Sequence, residues 1–297
     1  MNFKHIHFII NPAAGKDEPI LSLINTVFKD SGIDWDVSIT KESGDAKKFA
    51  QKLIGQTDLV AVYGGDGSVS EVASGLIYTN TPMAIIAGGT ANIMAKELGM
   101  PLNTLETLQL LREGLVKSKV IDMGLVNNTP FILRINFGIL ADMVTSADRE
   151  MKKSLGQLAY GVSSIQTLTK AEPALYILEI DGKREEVSGV ALCVTNSGVI
   201  GINDFSILPD ISINDGLLDI ILLNDADVFS LMKIAGTTLF QKESDILRHW
   251  KCKEVTISTK EPVSIICDDC EKTDSKISIK VVPSALLVVV PEIKITD

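Results

Sequence analysis

A chain of 297 residues, 45% of them hydrophobic, exceeds what one hydrophobic core usually organises, so two domains are expected. A formal net charge of −10 argues against a nucleic-acid partner and against a broad basic face resting on anionic membranes. The longest apolar run, Ala285 to Val290, is strand-sized, whereas a membrane-spanning helix needs about 18 apolar residues or more.

The chain opens on MNFKHIHFIINP, whose apolar part is brief and interrupted by His5 and His7. No small-residue cleavage site follows, so a first strand over 5–10 is expected in place of a signal peptide. The patterning then predicts a helix over 20–29, a strand over 35–40, a helix over 45–54 and a strand over 59–63. A helix over 68–77, a strand over 83–87 and helices over 91–98 and 104–114 complete the first part. This alternation predicts an α/β domain with a parallel sheet, covering 1–124. DLVAVYG and MAIIAGG are nearly continuous apolar runs, as strands buried on both faces require.

Beyond Asp122 the character changes. TPFILRINFGI, ALYILEIDG, SGVALCVTNSG, LLDIILL, EVTIST and ALLVVVP read as strands separated by turn signals such as Asp181-Gly182 and Asp215-Gly216. A β-rich, largely antiparallel sandwich-like or barrel-like domain over 125–297 is expected, its C-terminal end packing back on the first domain. One helix interrupts it. Leu155, Leu158, Val162, Ile165 and Leu168 recur at helical spacing, giving a core-facing stripe or a lipid-facing lip beside Arg149, Lys152 and Lys153. Cys193, Cys252, Cys267 and Cys270, without a secretion signal, read as reduced thiols of a cytoplasmic protein.

Three stretches share one design, an apolar strand followed at once by small and polar residues: IINPAAGK (9–16), VYGGDGSVSE (62–71) and IAGGTANIMA (86–95). Strand ends of a parallel sheet converge on one edge, where small residues let backbone N–H groups reach phosphate oxygens. A phosphate-bearing ligand is expected there. The Walker pattern fails, because Gly15-Lys16 is followed by Asp17 with no glycine five positions upstream. The dinucleotide pattern fails at Ser70, and Asp66 between glycines would repel a pyrophosphate unless a divalent cation lay between them. Asp66 is therefore read as a metal- or nucleotide-orienting ligand. Ser68 and Glu71 have capping-box spacing at the expected helix start, and Thr90 could cap the next helix or bind ligand. Separately, His249-x-x-Cys252 and Cys267-x-x-Cys270 have the spacing of a four-ligand zinc site.

NPAAGK, GGDGSVSEVASGL and GGTANIMAKELGMP, in this order, resemble the diacylglycerol kinase catalytic-domain family, which includes soluble bacterial lipid kinases and sphingosine and ceramide kinases. The resemblance continues in KKSLGQLAYGVSSIQTL, INDGLLDIILL and PSALLVVVP, so it spans nearly the whole chain. It implies an NAD-kinase-like α/β domain, a β-rich C-terminal domain and ATP in the cleft between them. The implied activity is ATP-dependent phosphoryl transfer to a lipid hydroxyl at the membrane surface, with Mg²⁺ and transient membrane association. Residue by residue, it implies that Asn11, Pro12, Ala13, Ala14 and Gly15, together with Gly65, Asp66, Gly67, Ser68, Val69, Ser70 and Glu71, wrap the ATP phosphates. Thr40 and Thr90 would contact nucleotide, with Asp66 close to the catalytic magnesium. A structural magnesium would be held by Asp215 with backbone oxygens of Ser212 and Leu217. The family's Asp-Gly-Glu corresponds to Asp269-Cys270-Glu271, with Glu271 the general base, and the alignment gives Cys267 to Cys270 a strand-and-turn role in place of zinc binding. Two departures stand out: Cys270 replaces that glycine, and Ile93 stands where the family often has Asp. Kinase action on a soluble compound such as NAD, and a silent nucleotide- or lipid-binding regulator, are the alternatives. An exposed edge strand of the second domain could pair two subunits into a homodimer.

Overall fold

The computed structural model describes residues 1–138, 141, 173–199, 210–224, 247–268 and 270–292. The expected helix over 155–168, with Arg149, Lys152 and Lys153 before it, lies outside the described residues, as does Asp269. Contacts divide the chain into two units. One holds Met1–Asp122 with Val199 and 284–292; the other holds the described residues of Met123–Gly198 and 210–283.

The first unit alternates strands and helices: β1 (His5–Ile10), α1 (Ile20–Phe28), β2 (Asp34–Ile39), α2 (Asp45–Lys52), β3 (Leu59–Gly64), α3 (Asp66–Leu76), β4 (Met83–Ala87), α4 (Ile93–Glu97) and α5 (Thr104–Glu113). The strands are parallel in the order β2-β1-β3-β4, and Val288 near the chain's end pairs with Met83 beyond β4. Every residue of β3 and β4 is buried, which accounts for their unbroken apolar runs. Helices cover the sheet through single stripes. In α3 these are Val69, Val72, Ala73 and Leu76, at intervals of three and four. α5 is bounded as its sequence demands: the Asn103 side chain accepts from Glu106 N–H at 3.1 Å, and Gly114 closes the helix at φ 67°.

The consequence for function lies in the strand order. From β1 the chain moves to β2 on one side, then returns past β1 to β3 on the other. The loops after β1 and β3 therefore part at a topological switch, where open α/β sheets leave a crevice outside the carboxyl ends of their strands.

The second unit is antiparallel. β7 (Arg134–Gly138), β10 (Ala191–Thr195), β11 (Leu218–Leu223) and β12 (Leu247–Cys252) pair in the order β12-β11-β10-β7. Short β6 (Thr129–Phe131) pairs with β5 (Val116–Val126), and the hairpin of β8 (Ala174–Ile180) and β9 (Lys183–Gly189) precedes β10. Long β13 (Glu254–Cys267) serves two neighbours: 255–258 pair with β8, and 265–267 pair with β7. Its register against β14 (Cys270–Pro291) shifts between Ser258 and Val263, between the segment that pairs with β8 and the one that pairs with β7. One core fills the space, with Phe137, Tyr176, Leu192, Ile220, Ile257 and Ile279 among its members. Among the described residues no helix is long and apolar enough to cross a membrane.

Candidate active site

Three loops meet at the C-terminal ends of β1, β3 and β4. Asn11 ties the first to the second. Its N–H donates to Tyr63 O at 3.0 Å and its side-chain Nδ2 donates to Ser68 Oγ at 2.9 Å. Asn11 also shapes its own loop, since Ala13 N–H donates to Asn11 Oδ1 at 2.9 Å and Ala14 N–H to Asn11 O at 3.1 Å. The third loop is stitched in by Lys16 N–H to Gly88 O at 3.2 Å and Gly88 N–H to Gly64 O at 2.9 Å. Thr40, at the end of β2, donates its N–H to Ile10 O at 2.9 Å. Gly15, beside Thr90, is exposed with it; a Cβ on Gly15 would lie 3.5 Å from Thr90 Oγ1. Pro12 is also exposed, next to Asn11.

The glycines around Asp66 have a steric reason that their sequence only partly discloses. A Cβ on Gly89 would stand 2.5 Å from Gly65 Cα, so the second and third loops touch backbone to backbone. Asn92 locks that contact: its Oδ1 accepts from Gly89 N–H at 2.9 Å and its Nδ2 donates to Gly89 O at 2.8 Å. Gly89→Ala is accordingly expected to cost about 1–3 kcal/mol, read as a lower urea midpoint, because backbone on both sides must move. An unchanged midpoint would mean that the loops part without penalty.

α3 begins at Asp66, two residues before the expected start. Gly65 is the N-cap in extended conformation, and Val69 N–H donates to Gly65 O at 3.1 Å. The N–H groups of Asp66, Gly67 and Ser68 thus lead the helix ahead of its first intrahelical bond, and the helix dipole adds positive potential there. The Asp66 carboxylate is partly exposed, and its Oδ1 accepts from Met94 N–H at 3.2 Å, bracing α3 against α4.

The expected capping box is corrected by this start. Ser68 and Glu71 lie inside α3, and Ser68 Oγ takes the Asn11 amide instead. Glu71 does cap a helix, but it is α2: its Oε1 accepts from Gly44 N–H at 2.7 Å and Ser43 Oγ at 3.2 Å, and its Oε2 from Ala46 N–H at 3.1 Å. Glu71→Gln keeps one acceptor and loses the charge, for an expected loss of about 1–2 kcal/mol in urea denaturation. No loss would remove this capping role. Thr90 is no cap either, because Asn92 is the N-cap of α4. Ser70 and Val69 lie in the first turns of α3, with Val69 buried in the core.

In the second unit Glu271 is exposed near the start of β14, opposite Ile266, and its Oε1 accepts from Ser264 Oγ at 3.2 Å. Its placement depends on a residue to which the sequence reading gave no role. Cys267 pairs with Cys270, and Asp268, in the turn that follows Cys267, has φ 48°. The Asp268 carboxylate accepts from the N–H groups of Ile132, Leu133 and Arg134, each at 3.0 Å. The turn is thereby pinned to the entry of β7. The available signal was an Asp in a tight turn, a type that tolerates positive φ.

The zinc spacing does not survive strand geometry. His249 and Cys252 are three apart on β12, so their side chains leave opposite faces. Cys252 and Cys267 enter the core, while His249 Nε2 meets Asp219 Oδ1 at 2.6 Å. Burial pushes the thiols of Cys252 and Cys267 up to about 12, which keeps both protonated at neutral pH.

The loop expected to hold a structural magnesium, Ser212 to Leu217, is already organised by protein groups. Asp215 Oδ1 accepts from Leu217 N–H at 3.1 Å, and its Oδ2 accepts from Lys251 Nζ at 2.9 Å. Ser212 Oγ donates to Asn214 Oδ1 at 3.0 Å. The Lys251 ammonium thus stands beside the carboxylate that such an ion would use.

Residues 5–126 match the model of the diacylglycerol kinase catalytic domain, and residues 134–290 match the YegS C-terminal NAD kinase beta sandwich-like domain. The chain is 29% identical over 242 residues to a diacylglycerol kinase of Bacillus subtilis (strain 168), covering 80% of this chain and 79% of that one. The crystal structure of a diacylglycerol kinase from Bacillus anthracis (strain Sterne) shares the fold, with a TM-score of 0.77 at 24% identity over 97% of both chains. A second crystal structure from that organism superposes with a TM-score of 0.82 at 28% identity, covering 97% of this chain and 95% of that one.

Proposed function

Because the chain belongs to the diacylglycerol kinase catalytic-domain family, we propose that it transfers the γ-phosphoryl group of ATP to the hydroxyl of a diacylglycerol-like or related lipid. Lipid kinase is the activity that the family carries; ATP as donor and this acceptor are the finer reading. The observation that supports it best is the convergence of three strand-end loops at the switch point, with Asp66 heading a helix among them.

The leading N–H groups of α3 suit phosphate oxygens, and Asn11 fixes the first loop against that helix end. Gly15, Thr40 and Thr90 would complete the nucleotide contacts. The partly exposed Asp66 carboxylate suits a divalent cation accompanying ATP, whose charge would offset that of the phosphates. Phosphoryl transfer needs mainly positioning and charge neutralisation, which rigid, cross-linked loops supply. Glu271 is the general base of this reading. As the acceptor oxygen bonds phosphorus and the bond to ADP breaks, the hydroxyl proton passes to its carboxylate.

The test is transfer from labelled ATP with Mg²⁺ to a panel of micellar lipids, with NAD as soluble control. A labelled lipid that is lost with Asp66→Asn supports the reading and names the acceptor class. Kinase action on a soluble compound such as NAD is the runner-up, and labelled NADP would select it. ATP binding with no labelled product would favour a silent regulator and direct attention to Ile93 and Cys270.

A further inference from the structure

Lys251 lies on β12 directly opposite Asp219 of β11, and its ammonium reaches across to the Asp210 to Leu217 loop. There Nζ donates to Asp215 Oδ2 at 2.9 Å and to Asp210 O at 2.8 Å. One cation thus joins a carboxylate and a backbone carbonyl of the same loop while facing a second carboxylate on the neighbouring strand. Oxygen ligands of these types, gathered from a short loop around a positive centre, are what a hard divalent ion would collect.

The remaining geometry of the loop is equally self-contained. The other Asp215 oxygen accepts from Leu217 N–H at 3.1 Å, closing a turn, and Gly216 takes φ 76° at its apex. Asp219 is fully buried; its Oδ1 is engaged by His249 at 2.6 Å, whereas its Oδ2 has no hydrogen-bond partner among the described residues and relies on the ammonium's charge. Among the described residues, the groups around the ammonium are therefore Asp210, through its carbonyl and its carboxylate, with Asp215 and Asp219. A dication on Asp215 would bring like charges together across one carboxylate.

We propose that the Lys251 ammonium is the built-in cation of the Asp210 to Leu217 loop, so that this loop keeps its shape without a bound divalent metal. The inference does not depend on the kinase reading, because it concerns loop stability and not turnover.

Thermal unfolding at fixed ionic strength tests it, comparing EDTA with millimolar Mg²⁺ or Ca²⁺ in the parent, Lys251→Met and Asp215→Asn proteins. The parent midpoint is expected to be equal in EDTA and in metal. Lys251→Met, which keeps the apolar stem, should unfold several degrees lower in EDTA and recover when metal is added. A saturable rise of the parent midpoint with metal that Asp215→Asn abolishes would overturn the proposal. So would a Lys251→Met protein as stable as the parent in EDTA. Should Lys251→Met fail to fold, elemental analysis of the purified parent decides. Stoichiometric magnesium or calcium that disappears in Asp215→Asn refutes the proposal, and its absence alongside a metal-insensitive parent midpoint supports it.

Discussion

Asp66→Asn is expected to lower phosphoryl transfer by about a thousandfold, or ~4 kcal/mol, with the thermal midpoint held within about 2 °C of the parent. The two halves of this expectation rest on different atoms. Asparagine retains Oδ1, so the hydrogen bond from Met94 N–H at 3.2 Å can persist and α3 stays braced against α4. What is lost is the negative charge at the head of α3, the group suited to the cation that accompanies ATP. The decisive readout is therefore a comparison. Initial rates with labelled ATP and the accepted lipid should collapse, while ATP affinity without metal should change little. Full activity in a folded Asp66→Asn protein would sink the assignment. A parallel loss of midpoint would instead make Asp66 chiefly a helix brace.

Asp268→Ala should be the most destabilising single change, at about 3–5 kcal/mol, because several backbone N–H groups lose a charged acceptor together. Ile132 and Leu133, whose amides it holds, are buried, so water cannot simply replace the carboxylate. Alanine also resists the φ of 48° that Asp268 adopts. Asp268→Asn tolerates that conformation and keeps Oδ1, which takes the Leu133 and Arg134 amides, so a smaller loss of about 1–2 kcal/mol is expected. Urea denaturation of the three proteins gives the order parent, Asn, Ala. If Ala were as stable as the parent, the turn would not depend on this clamp. Activity carries a second expectation. The turn leads directly into Glu271, so the folded Asn variant should lose turnover beyond what its folded fraction explains.

Much of the first unit was legible along the chain. Strands β1 and β4 begin and end at the expected residues, and the other elements up to α5 differ by one or two residues at their ends, whereas β5, most of which belongs to this unit, was not expected. The reason is physical. A strand buried on both faces must be apolar at nearly every position, and a helix covering it must be apolar at every third or fourth. Both rules act locally, so the residues record them. The three small-residue loops were legible for the same reason: chain that must turn sharply after a buried strand has few residue types available.

The second unit gave up its strands less completely. β12 was missed because LRHWKC mixes charged residues with apolar ones, and only its neighbour β11 explains them: His249 meets Asp219, and Lys251 lies opposite it. β13 looked like one short strand, EVTIST, since the part that joins β7 continues beyond a register shift that no local pattern announces.

The sequence by itself determined the α/β alternation, the β-rich remainder, the family and the identity of the loops that end on small residues, because each depends on contacts or motifs only a few residues long. Tertiary structure decided which partner each polar side chain serves. Glu71 has the spacing of a cap for its own helix, yet it holds α2, whose amides lie 25 and 27 residues away. The Asp268 carboxylate finds its amides 134 to 136 residues back along the chain. Lys251 takes the place beside Asp215 from a strand 36 residues away. A carboxylate or ammonium states its charge in the sequence, but its partner is set by the packing that brings distant backbone within about 3 Å of it.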